Sequence, residues 1–585
     1  MLLTRLRWLQ TGAFVLFAGL TVRLGDLQIR QHETLLEIGT NQWLDAVPVP
    51  AERGNIYDRQ GRSLALSVTT WRVGVSTTSL RGKDPGECAA IADRVAGIFD
   101  LNPVETRRRL TEAGGKHIVL ASRAVLHRDS LLALRRLGCV TFDVQHDRVY
   151  PQGGTGASLL GHFRDTGNGA VANGLEQAYD ELLAGTPGEA WRHKTPHRGP
   201  GDGLEVVTPA RDGLDLVLTI DADLQAIAED CLEIAVPECH AIGGAVLIID
   251  PNTGEVLAAA DTPVIRDRTE AAEHKRFWDN YNFTGSYEPG SVFKIFTAAS
   301  LLARDAVDTT LAIDCDDQQF DGYRIRNSEG HDFGFMSFMD AFAHSSNVYF
   351  ARMVLNLRRD EFFRDLQLLG FGKPTGAVYP GQTRGLCKPV KDWSGRTQST
   401  IAFGQEITAS PLQVALAGAT VANGGRLMAP MMVREVRTKN GSVVERREPV
   451  VYQEVMSERL AEVIRGAMLR AVTEGTGGKA SVPWTTVAGK TGTAQKVREG
   501  ATGYEYGVYI ASFLGMVPAD EPRLLILTIL DEPDQSHHYA SASAAPLFAR
   551  VVEQIGRSTS WLSGVAVRKG AWRTDEGQSQ VTAWR

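Results

Sequence analysis

Cysteine is scarce in this chain, whose 585 residues include six, spread from Cys88 to Cys387. Six cysteines at such wide spacings are too few for a disulfide scaffold and do not form the paired clusters of a zinc site. Only Cys231, Cys239 and His240 lie close together in the sequence, and three such neighbours do not by themselves predict a metal site. The sequence therefore indicates neither a metal nor a cofactor.

Sustained runs of positive charge are also missing. Lysine and arginine number 62 against 69 acidic residues, which gives a net charge of -7 and an isoelectric point of about 6.1. Basic residues are scattered, and the short step at 107–109 does not grow into the basic stretch that a polyanion site favours. We therefore expect no nucleic-acid partner.

An uncharged stretch flanked by arginines lies near the amino terminus. Arg5 and Arg7 precede an uncharged run at 8–22, and Arg23 follows it. At 1.5 Å per residue this run spans about 22 Å, less than a hydrocarbon core of ~30 Å, so that the flanking arginines must snorkel. Because the segment lacks a clear small-x-small cleavage site, an uncleaved anchor at 1–41 is favoured over a cleaved signal peptide. The expected topology has a cytoplasmic N-terminus and a single span in the inner membrane, with the rest of the chain extracytoplasmic or periplasmic.

The length of the chain and its apolar content of 43% predict more than one domain. Residues 42–213 are expected to form a pedestal domain of mixed short helices and strands. Within it, the segment 53–65 combines turn glycines with the pair Asp58-Arg59 and precedes a strand-like run, which indicates a braced chain reversal without a catalytic role. A Pro/Gly-rich loop is expected at 195–203.

A second domain is predicted over 214–560, followed by a polar tail at 561–585 with no assigned function. Two early strands around Pro251–Gly254 read as a hairpin, and three late strands precede a closing helix. These elements predict an α+β domain with a five-stranded antiparallel sheet between helices. The expected strands are 244–250, 255–260, 485–495, 509–516 and 523–530, and the closing helix is 545–555.

Ser291 and Lys294 are the first candidate catalytic residues. They follow the turn signal Pro289-Gly290 and precede the apolar run 295–302, which predicts a helix buried on all sides. Residues three apart share a helix face, so hydroxyl and amine lie within hydrogen-bond reach. A free lysine with a pKa near 10.4 is a poor base, but burial lowers a lysine pKa by up to about 3–5 units. The alternative is a helix-capping serine beside a surface lysine, and this short pattern alone does not exclude it.

Two further motifs lie downstream in the same predicted domain. Ser345-Ser346-Asn347 falls on a turn between two helical segments, where a hydroxyl and a carboxamide relay a proton and hold a substrate amide. Lys490-Thr-Gly492-Thr lies in a strand-like run, where a glycine weakens pairing unless a ligand backbone must approach closely. Its lysine supplies a second positive charge near Lys294, and the hydroxyls of Thr491 and Thr493 suit a substrate carboxylate.

The three motifs S-x-x-K, S-x-N and K-T-G, in this order, are those of penicillin-binding proteins and serine β-lactamases. The sequence resembles the class B penicillin-binding proteins over nearly its whole length, and most of all the division-type transpeptidases of the FtsI kind. The stretch 537–543 departs from the resemblance, because relatives tend to be richer in glycine there. The other segments that carry the resemblance are RGNIYDRQGRSLA from Arg53, RVYP from Arg148, GLEQAYD from Gly174, YEPGSVFK from Tyr287, FGQEITASPLQ from Phe403 and ANGG from Ala422.

The resemblance implies D,D-transpeptidation in septal peptidoglycan synthesis, with β-lactams as covalent inhibitors. It makes Ser291 the nucleophile on a D-Ala-D-Ala stem peptide and Lys294 the base, with Ser345 and Lys490 completing the proton path. Asn347 then orients the donor peptide. Gly492 belongs with Thr491 and Thr493 to the substrate-binding strand, and the backbone amides of Ser291 and Thr493 form the oxyanion hole.

Several alternatives stay open at this point. An elongation-type transpeptidase shares all three motifs, and so does a β-lactamase or D,D-carboxypeptidase, which additionally needs a water for deacylation. A catalytically idle scaffold of the division complex is a fourth reading. The resemblance also implies a membrane partner, a multi-pass glycosyltransferase of the FtsW type that makes the glycan strands. Oligomeric state, the third stem-peptide residue and the acceptor amine are not indicated by the sequence.

Overall fold

The computed structural model describes residues 2–80, 83–112, 117–165, 170–193, 204–266, 268, 279–320, 323–328, 332–496, 503–505 and 507–564. The loop predicted at 195–203 lies outside the described residues. The strand Leu204–Thr208 begins directly after it. Most of the polar tail, from residue 565 onward, also lies outside them.

Residues 2–213 contain short elements of both kinds. The helices are α1 Leu2–Gly25, α2 His32–Trp43, α3 Thr77–Leu80, α4 Pro85–Phe99, α5 Pro103–Glu112, α6 Arg128–Arg135, α7 Ala157–Leu160, α8 Gly174–Ala178 and α9 Asp180–Leu183. The strands are β1 Leu44–Val49, β2 Ile56–Tyr57, β3 Ser63–Ser76, β4 His117–Ala124, β5 Val140–Val149, β6 Phe163–Asp165, β7 Ala170–Ala172, β8 Gly188–His193 and β9 Leu204–Thr208.

Residues 214–564 contain longer helices and a larger sheet. The helices are α10 Ala222–Glu238, α11 Tyr281–Thr284, α12 Lys294–Ala303, α13 Phe338–Ala343, α14 Asn347–Met353, α15 Arg359–Leu368, α16 Thr397–Ile401, α17 Pro411–Ala422, α18 Glu458–Thr473 and α19 Ala544–Ser558. The strands are β10 Asp215–Leu218, β11 Gly243–Ile249, β12 Val256–Asp261, β13 Ile313–Asp314, β14 Gln318–Phe320, β15 Tyr323–Ile325, β16 Phe335–Met336, β17 Arg426–Met428, β18 Val433–Arg437, β19 Val443–Arg446, β20 Val451–Glu454, β21 Ala488–Gln495, β22 Tyr509–Val517 and β23 Leu524–Asp531.

The first helix is longer than the uncharged run at 8–22 that predicted it. Helix α1 has 24 residues and continues into a π-helical turn at Asp26–Arg30. At 1.5 Å per residue, 24 residues span about 36 Å, enough for a hydrocarbon core of ~30 Å. Within the described part of the chain, this is the one helix long and apolar enough to cross a membrane. It fits a single-pass membrane anchor.

The chain folds into two compact units that interleave in sequence. The first contains the residues up to Gly54, Ser67–Val149 and Ala184–Gly213. Its antiparallel strands run in the order β1-β8-β9, and β3 pairs with β4 and β5. The helix α4 contributes Ile91 and Val95 to a hydrophobic cluster with Val73 of β3. The predicted mixed α+β fold is therefore confirmed here.

The second unit contains Asn55–Leu66, Tyr150–Leu183 and the residues from Leu214 onward. In its first segment the predicted chain reversal is confirmed, since the backbone N–H of Asp58 bonds the carbonyl of Arg62, 2.9 Å away. The fully buried Asp58 carboxylate accepts from the Arg62 guanidinium at 2.7 Å, whereas Arg59 pairs with Glu255 at 3.3 Å. The turn through Gly61, whose φ is +84°, brings Arg62 back beside Asp58, which explains the choice of partner.

The main sheet of the second unit has five strands in the order β12-β11-β23-β22-β21. Each neighbouring pair is antiparallel, with Leu247 of β11 opposite Leu527 of β23 and Lys490 of β21 opposite Leu514 of β22. The prediction of one antiparallel five-stranded sheet is confirmed. Its two halves come from opposite ends of the domain sequence, so this sheet exists only through tertiary folding.

Both faces of this sheet are covered by helices. Along β11, Val246 and Ile248 belong to a cluster with Phe548 and Val552 of α19, and this cluster also includes residues of α10. The intervening Leu247 and Ile249 belong instead to the cluster that holds α12, α17 and α18. Strands buried on both faces are apolar without alternation, which explains the continuous run Ala245-Val-Leu-Ile-Ile249.

Candidate active site

Ser291 lies on a single 3₁₀ turn, Gly290–Phe293, that leads directly into α12. The prediction of a helix buried on all sides is confirmed, because every residue of α12 except Leu302 is buried. Gly290 has a φ of +56° and its backbone N–H donates to the carbonyl of Gly404 at 3.2 Å. This glycine lets the chain turn sharply and present the Ser291 side chain at the start of a rigid helix.

Lys294 lies one turn further on, and its side chain is completely buried. Its Nζ lies 2.9 Å from Ser291 Oγ, 2.7 Å from Asn347 Oδ1, and 2.6 and 3.1 Å from the carbonyl and hydroxyl oxygens of Ser345. Desolvation by burial, and secondarily the charge of Lys490, lower the pKa of Lys294 well below its ordinary value. A neutral amine so placed has a lone pair available for the Ser291 hydroxyl proton.

The turn Ser345-Ser346-Asn347 joins α13 to α14, as the sequence predicted. Ser345 has a φ of +62°, a conformation uncommon outside glycine, and this turns both its carbonyl and its hydroxyl toward Lys294. Ser346 is the N-cap of α14, its hydroxyl accepting from the backbone N–H of Tyr349. The serine between the two candidate residues therefore has a structural role.

Lys490 lies on β21, the edge strand of the main sheet, and is also completely buried. Its Nζ donates to Ser345 Oγ at 2.8 Å, so that Ser345 Oγ stands between the two lysines. Burial lowers the pKa of Lys490 to about 7. The five candidate catalytic residues are thus linked by contacts of 3.1 Å or less: Ser291, Lys294, Ser345, Asn347 and Lys490.

The sequence suggested that Gly492 makes room for the backbone of a ligand, but the atoms nearest to it belong to the protein's own 3₁₀ turn. A Cβ at this position would lie 2.5 Å from the carbonyl oxygen of Pro289 and 2.9 Å from Val292 Cγ2. A Cβ at Gly290 would likewise lie 2.9 Å from the carbonyl oxygen of Thr493. The close approach is therefore made by the protein's own 3₁₀ turn, because two facing glycines let this turn pack directly on the edge strand.

The two threonines of β21 differ in their surroundings. The hydroxyls of Thr491 and Thr476 lie 2.7 Å apart, and either is able to donate. Thr493 Oγ1 accepts from the backbone N–H of Ala540 at 3.1 Å, which connects this strand to the chain before α19. Each hydroxyl keeps hydrogen-bonding capacity for a ligand beyond these contacts.

Glu288 is a residue near this site that the sequence reasoning passed over. One of its carboxylate oxygens accepts from the backbone N–H of Glu406 at 2.9 Å and from the hydroxyl of Tyr504 at 3.3 Å. Burial raises the pKa of Glu288 to about 7. Its position next to the turn residues Pro289-Gly290, three residues before Ser291, could have indicated that Glu288 lies near the site.

Asn327 is a second residue without an earlier assignment, and its sequence neighbourhood carried no signal. Its Oδ1 accepts from the hydroxyl of Ser346 and from the backbone N–H of Asn347, both at 3.0 Å. Its own amide donates to the carbonyl of Cys315 at 2.7 Å. Asn327 thus fixes the turn that carries Ser345 and Asn347, over a sequence distance that no local pattern reveals.

The neighbouring Cys231, Cys239 and His240 do not come together as a metal site. Burial raises the pKa of the Cys231 thiol to about 11, which disfavours the thiolate that binds metals. Within the part of the chain that the structure describes, no cysteine belongs to a group of three or more residues able to hold a metal ion.

The buried Lys490 should make folding stability depend on pH. In the unfolded chain its pKa is about 10.4, so between pH 7 and 10 the unfolded state binds a proton that the folded state largely lacks. The free energy of unfolding therefore rises with pH across this window, by up to about 1.4 kcal/mol per pH unit. Replacing the lysine by methionine, in Lys490→Met, should remove this contribution.

The measurement is the melting temperature of the detergent-solubilised protein at pH 7 and pH 9. We expect the wild-type chain to gain more from the higher pH than Lys490→Met does. Lys479→Met, which removes an exposed lysine, serves as the matched control and should follow the wild type. Parallel pH profiles for wild type and Lys490→Met would show that Lys490 keeps its proton throughout.

Two family models match the chain. The penicillin binding protein transpeptidase domain matches residues 244–553, and the penicillin-binding protein dimerisation domain matches residues 48–218. The first match includes every candidate site residue and covers more than half of the chain.

Curated relatives match along most of their length. Stage V sporulation protein D of Bacillus subtilis is 28% identical over 556 residues, which are 94% of this chain and 84% of the relative. Peptidoglycan D,D-transpeptidase FtsI of Escherichia coli is 27% identical over 543 residues, 92% of this chain and 88% of the relative.

Solved structures show the same fold. Penicillin binding protein 2X from Streptococcus thermophilus superposes with a TM-score of 0.79 at 21% identity, over 88% of this chain and 81% of that one. A peptidoglycan synthetase from Bifidobacterium adolescentis gives a TM-score of 0.72 at 24% identity, over 88% and 96%. With two family models matched in tandem and relatives matched along most of their length, the chain belongs to the class B penicillin-binding proteins and is a peptidoglycan D,D-transpeptidase of the serine acyltransferase type.

Proposed function

We propose that Ser291 is the nucleophile of this transpeptidase and that Lys294 is its base. The observation that carries the proposal is the completely buried amine of Lys294, 2.9 Å from Ser291 Oγ and with a strongly lowered pKa. Ser291 Oγ bonds to the carbonyl carbon of the penultimate D-alanine while its proton passes to Lys294 Nζ. The resulting oxyanion faces the backbone N–H groups of Ser291 and Thr493, which stabilise it as they do in acyl-transfer enzymes generally.

Collapse of this intermediate breaks the peptide C–N bond and releases the terminal D-alanine, whose amine takes up a proton. Ser345 Oγ, held between Lys294 and Lys490, offers the path for that proton. The acceptor amine of a second stem peptide then attacks the acyl ester. A new C–N bond forms, the ester C–O bond breaks, and Ser291 recovers its proton, so that the strands are cross-linked.

Substrate binding is assigned to Asn347 and to the threonines of β21, which lie around Ser291. The Asn347 carboxamide, which reaches Lys294 with its oxygen and the carbonyl of Arg326 with its nitrogen, orients the donor peptide. The hydroxyls of Thr491 and Thr493 bind the terminal carboxylate of the peptide, with Gly492 between them. A β-lactam carries a carboxylate and a reactive carbonyl in the same relation and is expected to acylate Ser291.

A test of this function is the lifetime of the adduct with a labelled penicillin. The detergent-solubilised full-length protein is labelled, the free label is removed, and the bound label is followed with time. Persistence for minutes to hours fits a transpeptidase, because no group in the proposed mechanism activates water for deacylation. Turnover in less than a second would instead show a β-lactamase, and absence of labelling would show an idle scaffold.

We further propose that the enzyme acts in septal synthesis. The resemblance to the FtsI kind over nearly the whole chain and the Ser345-Ser-Asn347 form of the second motif support this role. A fluorescent fusion expressed at native level should concentrate at the division site. Uniform distribution along the side wall would assign the enzyme to elongation instead.

The proposed topology places the N-terminus in the cytoplasm and the second compact unit, which contains the candidate active site, on the extracytoplasmic side. The arginines at the start of α1 and the single apolar span support this orientation. A multi-pass glycosyltransferase of the FtsW type is the proposed partner, since cross-linking needs newly made glycan strands. Co-purification of such an enzyme with the full-length chain, and its loss when α1 is replaced by an unrelated span, would test this pairing.

A further inference from the structure

A cluster of metal-binding side chains lies outside the active site, at one end of the main sheet. His240 follows α10, while Asp534 and His537 lie in the connection between β23 and α19. The two segments are in direct contact, because the backbone N–H of Asp534 donates to the carbonyl of Cys239 at 3.0 Å. One side-chain ligand atom from each of the three residues lies within 4.8 Å of the other two.

Both imidazoles face the same carboxylate with the same ring nitrogen. His240 Nδ1 lies 3.1 Å from Asp534 Oδ2, and His537 Nδ1 lies 2.8 Å from Asp534 Oδ1. Bonds of 2.0–2.2 Å to a tetrahedral zinc ion place neighbouring ligand atoms about 3.3–3.6 Å apart. Both nitrogen–oxygen distances are shorter than this, so the three side chains have to move apart to admit an ion.

We propose that His240, Asp534 and His537 bind one divalent transition-metal ion, for which Zn²⁺ is the best match, and that this ion ties the β23–α19 connection to the end of α10. Two imidazole nitrogens and one carboxylate oxygen form a donor set that suits zinc, whereas Ca²⁺ and Mg²⁺ prefer oxygen ligands throughout. His240 is exposed, so the ion has access from solvent and the fourth position is open to water.

The position of the cluster gives the ion a link to the substrate strand. The segment that carries Asp534 and His537 continues to Ala540, whose backbone N–H donates to Thr493 Oγ1. An ion that ties Asp534 and His537 to the end of α10 would restrict the motion of the connection up to Ala540, which contacts Thr493. Since none of the three ligands touches the reacting groups described above, acylation by a penicillin is expected to proceed without metal.

The test uses the full-length protein in detergent, purified with a tag that contains no histidine and stripped of metal with a chelator. Calorimetric titration with Zn²⁺ should show one ion per chain, bound in the micromolar range or tighter, and a rise in melting temperature with zinc concentration. Because the ligands must lose protons to bind, the affinity should be higher at pH 8 than at pH 6. An excess of Ca²⁺ should not displace the ion.

The double variant His240→Ala/His537→Asn should weaken zinc binding at least about 100-fold. His538→Asn is the matched control, because His538 Nδ1 faces the carbonyl of Gln535 and not the cluster, and this variant should bind zinc as the wild type does. Covalent penicillin labelling verifies that each variant is folded, and Asp534→Asn provides a second variant of the site. Absence of saturable zinc binding by the wild type, or equal binding by the double variant, would overturn the proposal.

Discussion

Ser291→Ala is expected to abolish covalent labelling of the full-length protein by a fluorescent penicillin while leaving the fold intact. In the proposed mechanism the Ser291 hydroxyl forms the acyl ester, so its removal should leave no atom to hold the label. The loss of a nucleophile from a unit of interacting catalytic groups costs several orders of magnitude, here at least about 10⁴-fold in acylation rate. Gel fluorescence after incubation with the labelled drug measures the effect.

Ser286→Ala is the matched control for this experiment. Ser286 lies five residues before Ser291, and its hydroxyl donates to Thr408 outside the lysine cluster. It should be labelled at nearly the wild-type rate. Circular dichroism and the melting temperature establish that both variants fold. Labelling of a folded Ser291→Ala protein at the wild-type rate would assign the acyl group to another residue.

Lys294→Met is expected to slow acylation by about 10²–10⁴-fold, the usual contribution of a general base. Methionine has nearly the length of lysine, so it fills the buried space without supplying a proton acceptor. The effect should appear in the second-order rate constant of acylation, measured by stopped labelling at several drug concentrations. Lys479→Met, at an exposed position, should leave this rate constant unchanged.

Lys294→Arg separates the proton acceptor from the positive charge. A guanidinium keeps its proton at any accessible pH, so this variant should acylate as slowly as Lys294→Met if the amine acts as a base. Recovery of most of the wild-type rate by Lys294→Arg would show that the charge, and not proton transfer, is what the reaction requires. Folding of both variants is verified by their melting temperatures.

The local elements of the second compact unit that surround the candidate active site were predictable from the sequence. The strands β11, β12, β21, β22 and β23 were recognised because apolar β-formers run between turn residues, and α12 because its apolar run follows Pro289-Gly290. The three-residue spacing of Ser291 and Lys294 placed them within hydrogen-bond reach, but the two downstream motifs were needed to favour this pair over a helix-capping serine beside a surface lysine. The assignment of strands and helix needed only neighbours within one element.

Other contacts were invisible to such reasoning. Within the second unit, the segment 150–183 contacts residues after Leu214, because the backbone N–H of Gly156 donates to Glu229 at 2.8 Å and Ser158 Oγ donates to Asp261 at 2.5 Å. These pairs are 73 and 103 residues apart in sequence. The same holds for Asn327, which fixes the Ser345 turn. Domain limits at 42, 214 and 561 remain predictions, since compact units that interleave along the chain have no linear boundary.

By itself the sequence determined the short elements that hold the candidate residues, because spacing along a helix and turn signals are local properties, whereas the roles proposed for those residues came from the resemblance to a family. Only the tertiary structure decided that Ser345 Oγ stands between two buried lysines, and that facing glycines at 290 and 492 let the serine turn rest on the edge strand. It also decided that the pKa of Lys294 is lowered, because burial and the charge of Lys490 disfavour the protonated amine, and both are supplied by residues far away in the chain.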